Sequence, residues 1–200
     1  EKEIVIISTN DIHGRIEQFS KLATFVKRIK EEHPNVILVD AGDRFTGNPY
    51  VDHAKEKGFP IISLMNDLGY EVGTLGNHEF DFGQKILRAR INDATFPIIC
   101  ANINSSRGEL DSIPPYHIIE KDGIKLGFIS FVQTETDQIP STNPERLKDI
   151  TFDHYLDKVE DYKPLKRQCD VLIGLTHLGV DKDTILATQM PELDIIIGGH

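Results

Sequence analysis

Ile4-Val5-Ile6-Ile7-Ser8-Thr9-Asn10-Asp11-Ile12-His13 is an apolar, β-rich run that ends abruptly in polar, chemistry-bearing residues, and the sequence after it repeats the theme. Phe19, Leu22, Ala23, Phe25, Val26 and Ile29 recur at helical spacing, and Val36–Val39 reads as the next buried strand. Strand, helix and strand in this order make a βαβ unit, whose crossover is expected to be right-handed with its two strands parallel. The alternation continues with a helix over Pro60–Leu68, a strand over Glu71–Leu75, a helix over Gln84–Asn92 and a strand over Pro97–Ala101.

Tyr116–Glu120 and Lys125–Phe131 flank Lys121-Asp122-Gly123-Ile124, where Asp-Gly supplies the positive φ angles of a tight hairpin, so the sheet gains antiparallel members. Asp153–Gln168 has a helical pattern that Pro164 must kink or split. Val171–Leu175 and Leu193–Ile197 are further strands around a short helix at Lys182–Gln189. Asn102–Pro115 and Thr134–Asp149 are rich in turn formers and read as surface loops. The pattern fits either one open sheet or two packed sheets flanked by helices, and does not choose between them.

Two hundred residues suffice for one α/β domain, read here as spanning 1–200, with 39% hydrophobic and 27% charged residues excluding disordered and fibrous classes. A net charge of −10 without a basic stripe argues against a nucleic-acid surface, so a phosphate-bearing ligand has to meet a local positive centre. Cys100 and Cys169 lie far apart beside strands and indicate neither a zinc-thiolate site nor a disulfide framework; they read as buried thiols. No apolar run approaches the roughly 18 residues of a spanning helix, and Glu1-Lys2-Glu3 is not the start of a signal peptide.

In open α/β sheets ligands bind beyond the carboxyl ends of the strands, and the polar motifs fall there. Asp11 and His13 follow the first strand, Asp43 the second, Asn77 and His78 the third, His177 and His200 the last two. Imidazole nitrogen mixed with carboxylate and amide oxygen, without thiolate, suits Zn or Mn, with Fe and Co as alternatives, better than Ca. Asp11, His13, Asp43, Asn77, His177 and His200 exceed what one ion takes from protein, so two divalent metals sharing Asp43 are expected. His78 should point away from Asn77 along an extended segment and so play a different part. Arg44, directly after Asp43, is a candidate phosphate contact.

The series Asp11-Ile12-His13, Gly42-Asp43, Gly76-Asn77-His78-Glu79-Phe80-Asp81, Thr176-His177-Leu178-Gly179 and Gly198-Gly199-His200 resembles the calcineurin-like metallophosphoesterases, within them the 5′-nucleotidase and UDP-sugar hydrolase branch. The resemblance implies a four-layer α-β-β-α sandwich of two mixed sheets with helices outside, and the metals at one edge. It implies Asp11, His13 and Asp43 at one metal, and Asp43, Asn77, His177 and His200 at the other. The family closes the first site with a His or Gln two residues beyond the position of His200, and usually carries a carboxy-terminal domain that sets nucleotide specificity; neither is represented in this sequence. His78 becomes the group that stabilises the transferring phosphoryl or protonates the leaving oxygen, with Asp81 orienting it.

The implied activity is hydrolysis of a nucleotide or another small phosphate ester by a metal-activated water. A 2′,3′-cyclic nucleotide, a UDP-sugar or a sulfur-oxyanion ester on the same core is the enzymatic alternative. A non-catalytic metal- or phosphate-binding module is the alternative from another class. Export to the periplasm or cell exterior, with a signal removed, is implied by the same resemblance, the cytoplasm being the other option.

Overall fold

Hydrophobic side chains that alternate along two sets of strands divide the interior into three apolar clusters, and three clusters require four layers. The computed structural model describes residues 2–200. The first sheet takes β1 (Val5–Thr9), β2 (Val36–Asp40), β3 (Val72–Thr74) and β4 (Ile98–Ile99) in that order, all parallel. The second takes β6 (Tyr116–Lys121), β7 (Ile124–Ile129), β9 (Val171–Thr176) and β10 (Ile195–Gly198) in the spatial order β10-β9-β7-β6, with only the β6–β7 pair antiparallel. A two-residue ladder joins β5 (Ile103–Asn104) to β8 (Thr151–Phe152).

Period-2 alternation does the sorting. On β2, Val36 and Leu38 face the cluster under α1 (Phe19–Glu32) and α3 (Phe59–Leu68), whereas Ile37 and Val39 face the other sheet. On β9, Ile173 and Leu175 meet them from the opposite side, with Phe128 and Leu126 of β7, to fill the slab between the sheets. Leu172 turns outward to a third cluster with Leu165, Leu186 and Met190 under α6 (Val180–Gln189). A strand buried on both faces leaves no polar side, which is why all five residues of β2 are buried.

The resemblance implied two mixed sheets, but only the second is mixed; the first is wholly parallel because each of its connections carries a helix across. The hairpin falls at Asp122 and Gly123, both with positive φ (51° and 73°). Asp153–Gln168 is split, as Pro164 requires, into 3-10 turns on either side of a single α-turn, α5 (Val159–Tyr162). Several short elements went unread, among them α2 (Pro49–Asp52) and the strands β5, within the Asn102–Pro115 loop, and β8, whose pairing is too short to carry a period. Gln84–Asp93 forms α4. Both cysteines are free, Cys100 buried and Cys169 only partly so.

Candidate metal centre

Beyond the carboxyl ends of β1, β2, β3, β9 and β10 the chain leaves each strand through a tight turn, and four of the expected ligands sit in the left-handed backbone region. Asp11, His13, Asp43 and His200 have φ of 49°, 48°, 57° and 89°. A non-glycine residue there costs of the order of 1–3 kcal/mol and persists only where its surroundings over-determine it. Those surroundings are a lattice of backbone bonds between the first two loops: the N–H groups of Asp11, His13 and Gly14 donate to the carbonyls of Gly42, Asp43 and Arg44 at 3.0, 3.0 and 2.7 Å.

The Asp43 carboxylate is the hub. Its Oδ1 accepts the His78 N–H at 2.9 Å, while Oδ2 lies 3.1 Å from His177 Nε2 and 3.9 Å from His13 Nε2. Two sets of donor atoms, His13–Asp43–His78 and Asp43–His177–His200, each gather within 4.8 Å and share Asp43. Asp11 stands at the rim, its Oδ1 3.9 Å from His13 Nε2 and its Oδ2 accepting from Asn10 Nδ2 (2.7 Å) and the His200 N–H (3.0 Å). Gly76 leaves room for this hub, since a Cβ there would collide with Asp43 Oδ1.

The donors are aimed as metal ligands are. His177 donates Nδ1–H to the Ala41 carbonyl (2.7 Å) and His13 donates Nδ1–H to the Thr46 carbonyl (3.0 Å), so in both rings Nε2 is the nitrogen turned toward the centre. Asn77 donates Nδ2–H to the Ser141 carbonyl at 2.9 Å, which turns Oδ1 inward. Asn77 Oδ1 and His177 Nε2 are both buried and form no hydrogen bond, the 3.1 Å approach of Asp43 to the latter being out of line. Buried polar atoms are rarely left so, and divalent cations that take Asn77 Oδ1 and, with loss of its proton, His177 Nε2 as donors would account for them. The residues therefore fit a metal pair of imidazole, carboxylate and amide donors.

Burial alone would depress the His177 imidazole, yet Asp43 outweighs it and lifts the group to about 9. For His200, burial and the neighbouring His177 push the ring down. His78 donates Nδ1–H to Asp81 Oδ2 at 2.7 Å; that bond outweighs partial burial and raises the imidazole above its ordinary range. Burial works to raise Asp81, but His78 and the hydroxyls of Thr46 (2.7 Å) and Thr142 (3.1 Å) hold it below the usual carboxylate value. His78 packs edge-on to His13, ring centres 5.0 Å apart, so its ring stands at the first set of donors.

Arg44 is the correction. Its side chain is fully buried, with Nε 2.9 Å from Asp40 Oδ1 though out of line for a hydrogen bond, Nη1 3.7 Å from Glu79 Oε1, and Nη2 donating to the Thr74 carbonyl. The left-handed turn at Asp43 sends the next side chain into the core, away from any phosphate. Sequence reading also passed over Asp40 and Glu79, fully buried carboxylates beside this arginine. Glu79 stands inside the Gly76–Asp81 motif without having been given a role, and Asp40 ends β2 two residues before Gly42; those places were the available signal.

A shared carboxylate between histidine-rich donor sets, at the open edge of an α/β sandwich, defines the class of metal-dependent hydrolases. The chain belongs to the calcineurin-like phosphoesterase family, whose profile matches residues 4–200. That family uses a dimetal centre. Rat 5′-nucleotidase is 32% identical over 224 residues, covering 99% of this chain and 38% of the relative. The trifunctional nucleotide phosphoesterase YfkN of Bacillus subtilis is 31% identical, covering 98% of this chain and 16% of its own length. The 5′-nucleotidase precursor of Thermus thermophilus superposes with a TM-score of 0.85 at 25% identity, over 98% of this chain and 41% of that one. The chain thus spans well under half the length of these relatives.

Proposed function

We propose that this chain carries the dimetal half of a nucleotide phosphohydrolase of the 5′-nucleotidase kind. Asp11, His13 and Asp43 would hold one divalent ion, and Asp43, Asn77, His177 and His200 the other, with Zn or Mn favoured by the nitrogen and oxygen donors and Fe or Co as alternatives. Bound there, the ions supply Lewis acidity toward the phosphoryl oxygens and activation of the attacking water. The chain's own groups complete the site. His78, held by Asp81 and biased toward its charged form, offers positive charge to the phosphoryl group and a proton to the leaving oxygen. Thr46 and Thr142 keep the Asp81 carboxylate turned toward that ring.

The observation that carries this reading is the shared Asp43 Oδ2 facing two histidine nitrogens, together with an Asn77 Oδ1 that is buried and forms no hydrogen bond. The nucleotide class is favoured over the other esters because relatives above 30% identity are named as nucleotidases or nucleotide phosphoesterases. A carboxy-terminal partner domain for specificity and an exported location belong to the same proposal, the latter resting on relatives named as snake venom 5′-nucleotidases. Among the described residues no helix is long and apolar enough to cross a membrane. The test is phosphate release from a nucleoside 5′-monophosphate with Zn²⁺ or Mn²⁺ added, alongside a panel of cyclic nucleotides and UDP-sugars. Asp43→Ala and His78→Ala should each reduce release by at least about 100-fold, and undiminished release by both would overturn the assignment.

A further inference from the structure

We propose that Glu79, which touches neither substrate nor metal in the reading above, is the positioning residue that assembles the Asp43 and Asn77 loops before any metal arrives. Its carboxylate is fully buried and accepts three backbone N–H groups from two loops: Gly76 at 2.5 Å and Asp43 at 2.9 Å on Oε2, and Arg44 at 2.8 Å on Oε1. The exchange is reciprocal, because Asp43 Oδ1 accepts the His78 N–H from Glu79's own loop at 2.9 Å. Each loop thus offers a carboxylate to the other's backbone. Three N–H donors spread over its two oxygens suit a carboxylate, which accepts at both, and not an amide, whose NH2 would face one of the N–H groups.

Asp43 needs such an anchor. It holds a left-handed backbone, it is shared by both donor sets, and the N–H groups of Asp43 and Arg44 belong to the two peptides that flank its α-carbon, so holding both fixes its φ and ψ. An anion this deep requires a cation, and Arg44 supplies it to both Glu79 and Asp40 from inside the core. This accounts for a fully buried arginine one residue from a metal ligand that it does not assist directly. The inference rests on the dimetal reading for its consequence, but the clamp itself is a property of the metal-free chain.

Two measurements test it. In the metal-stripped full chain, hydrogen–deuterium exchange should find the Asp43, Arg44 and Gly76 amides as protected as those of β2; rapid exchange at all three would overturn the clamp without recourse to any variant. Titration of Mn²⁺ alone into stripped protein, followed calorimetrically, should then show affinity about 10–100-fold weaker in Glu79→Gln, which keeps the shape but turns an amide toward N–H donors. Glu79→Ala should be weaker still, and β2 amide protection should be unchanged in both. Equal Mn²⁺ affinity in parent and Glu79→Gln sinks the inference. A parent that takes up no Mn²⁺, Zn²⁺, Fe²⁺ or Co²⁺ sinks the dimetal reading instead, and the exchange result then decides the clamp by itself.

Discussion

The slab between the two sheets and the polar edge at and just beyond the carboxyl ends of their strands are built on opposite terms. In the slab Ile37, Val39, Val72, Phe128, Ile173 and Leu175 are fully buried and gain free energy by leaving water. At the edge Asp40, Asp43, Arg44, Asn77, Glu79 and His177 are buried as well, although each loses hydration and Asp43 holds a left-handed backbone. One region stabilises; the other is held in place by that stability. A donor set arranged so rigidly is preorganised, so little rearrangement has to accompany the chemistry.

The contrast can be broken at either end. The largest effect is expected in the slab: Leu175→Ala should cost roughly 2–5 kcal/mol in denaturant unfolding while leaving Mn²⁺ affinity within about twofold, since the cavity opens between sheets and not among ligands. A fall in metal affinity as large as the fall in stability would show that slab and edge are a single unit.

A smaller, pH-dependent effect belongs to Asp40. Burial pushes its carboxyl up to about 6 from 3.8, against the opposing pull of Arg44, so the folded state keeps the proton to a higher pH than the unfolded chain does. The stability this group contributes is complete below its unfolded value of 3.8 and is lost as pH rises through about 6. Asp40→Asn should remove that slope, so parent and variant should diverge by on the order of 1–3 kcal/mol between about pH 4 and about pH 7, with the parent losing the more. Parallel curves would mean that Arg44 keeps Asp40 ionised throughout.

The smallest effect tests how finely the edge is tuned. Thr142→Val removes one of the two hydroxyls on Asp81 and should lower turnover by about three- to tenfold, the worth of one ordinary hydrogen bond, without changing metal stoichiometry. The acid-side limb of the pH–rate profile should be untouched, and the limb set by His78 should move to lower pH as its partner carboxylate loses support. An unmoved profile would leave Thr142 a packing residue.

Much of the fold was legible because burial on strands leaves a period of two and the helices between them a period near 3.6. The parallel β1–α1–β2 unit, the Asp122-Gly123 hairpin and the interruption at Pro164 all follow from residues adjacent in sequence. The two-residue strands β5 and β8 do not, because two residues carry no period. Among the site residues, Asp11, His13, Asp43, Asn77, His177 and His200 were marked by their position after strands, while Arg44 was misread because proximity in sequence says nothing about which way a side chain turns.

By itself the sequence determined which residue types stand at the end of each strand, and so the donor chemistry: nitrogen and oxygen, without sulfur. Only the tertiary structure decided the division of labour among them. Whether a carboxylate becomes a hub, like Asp43, or a hidden anchor, like Glu79, depends on which N–H groups and lone pairs the packed sheets bring within about 3 Å, a distance set by contacts between residues remote in the chain.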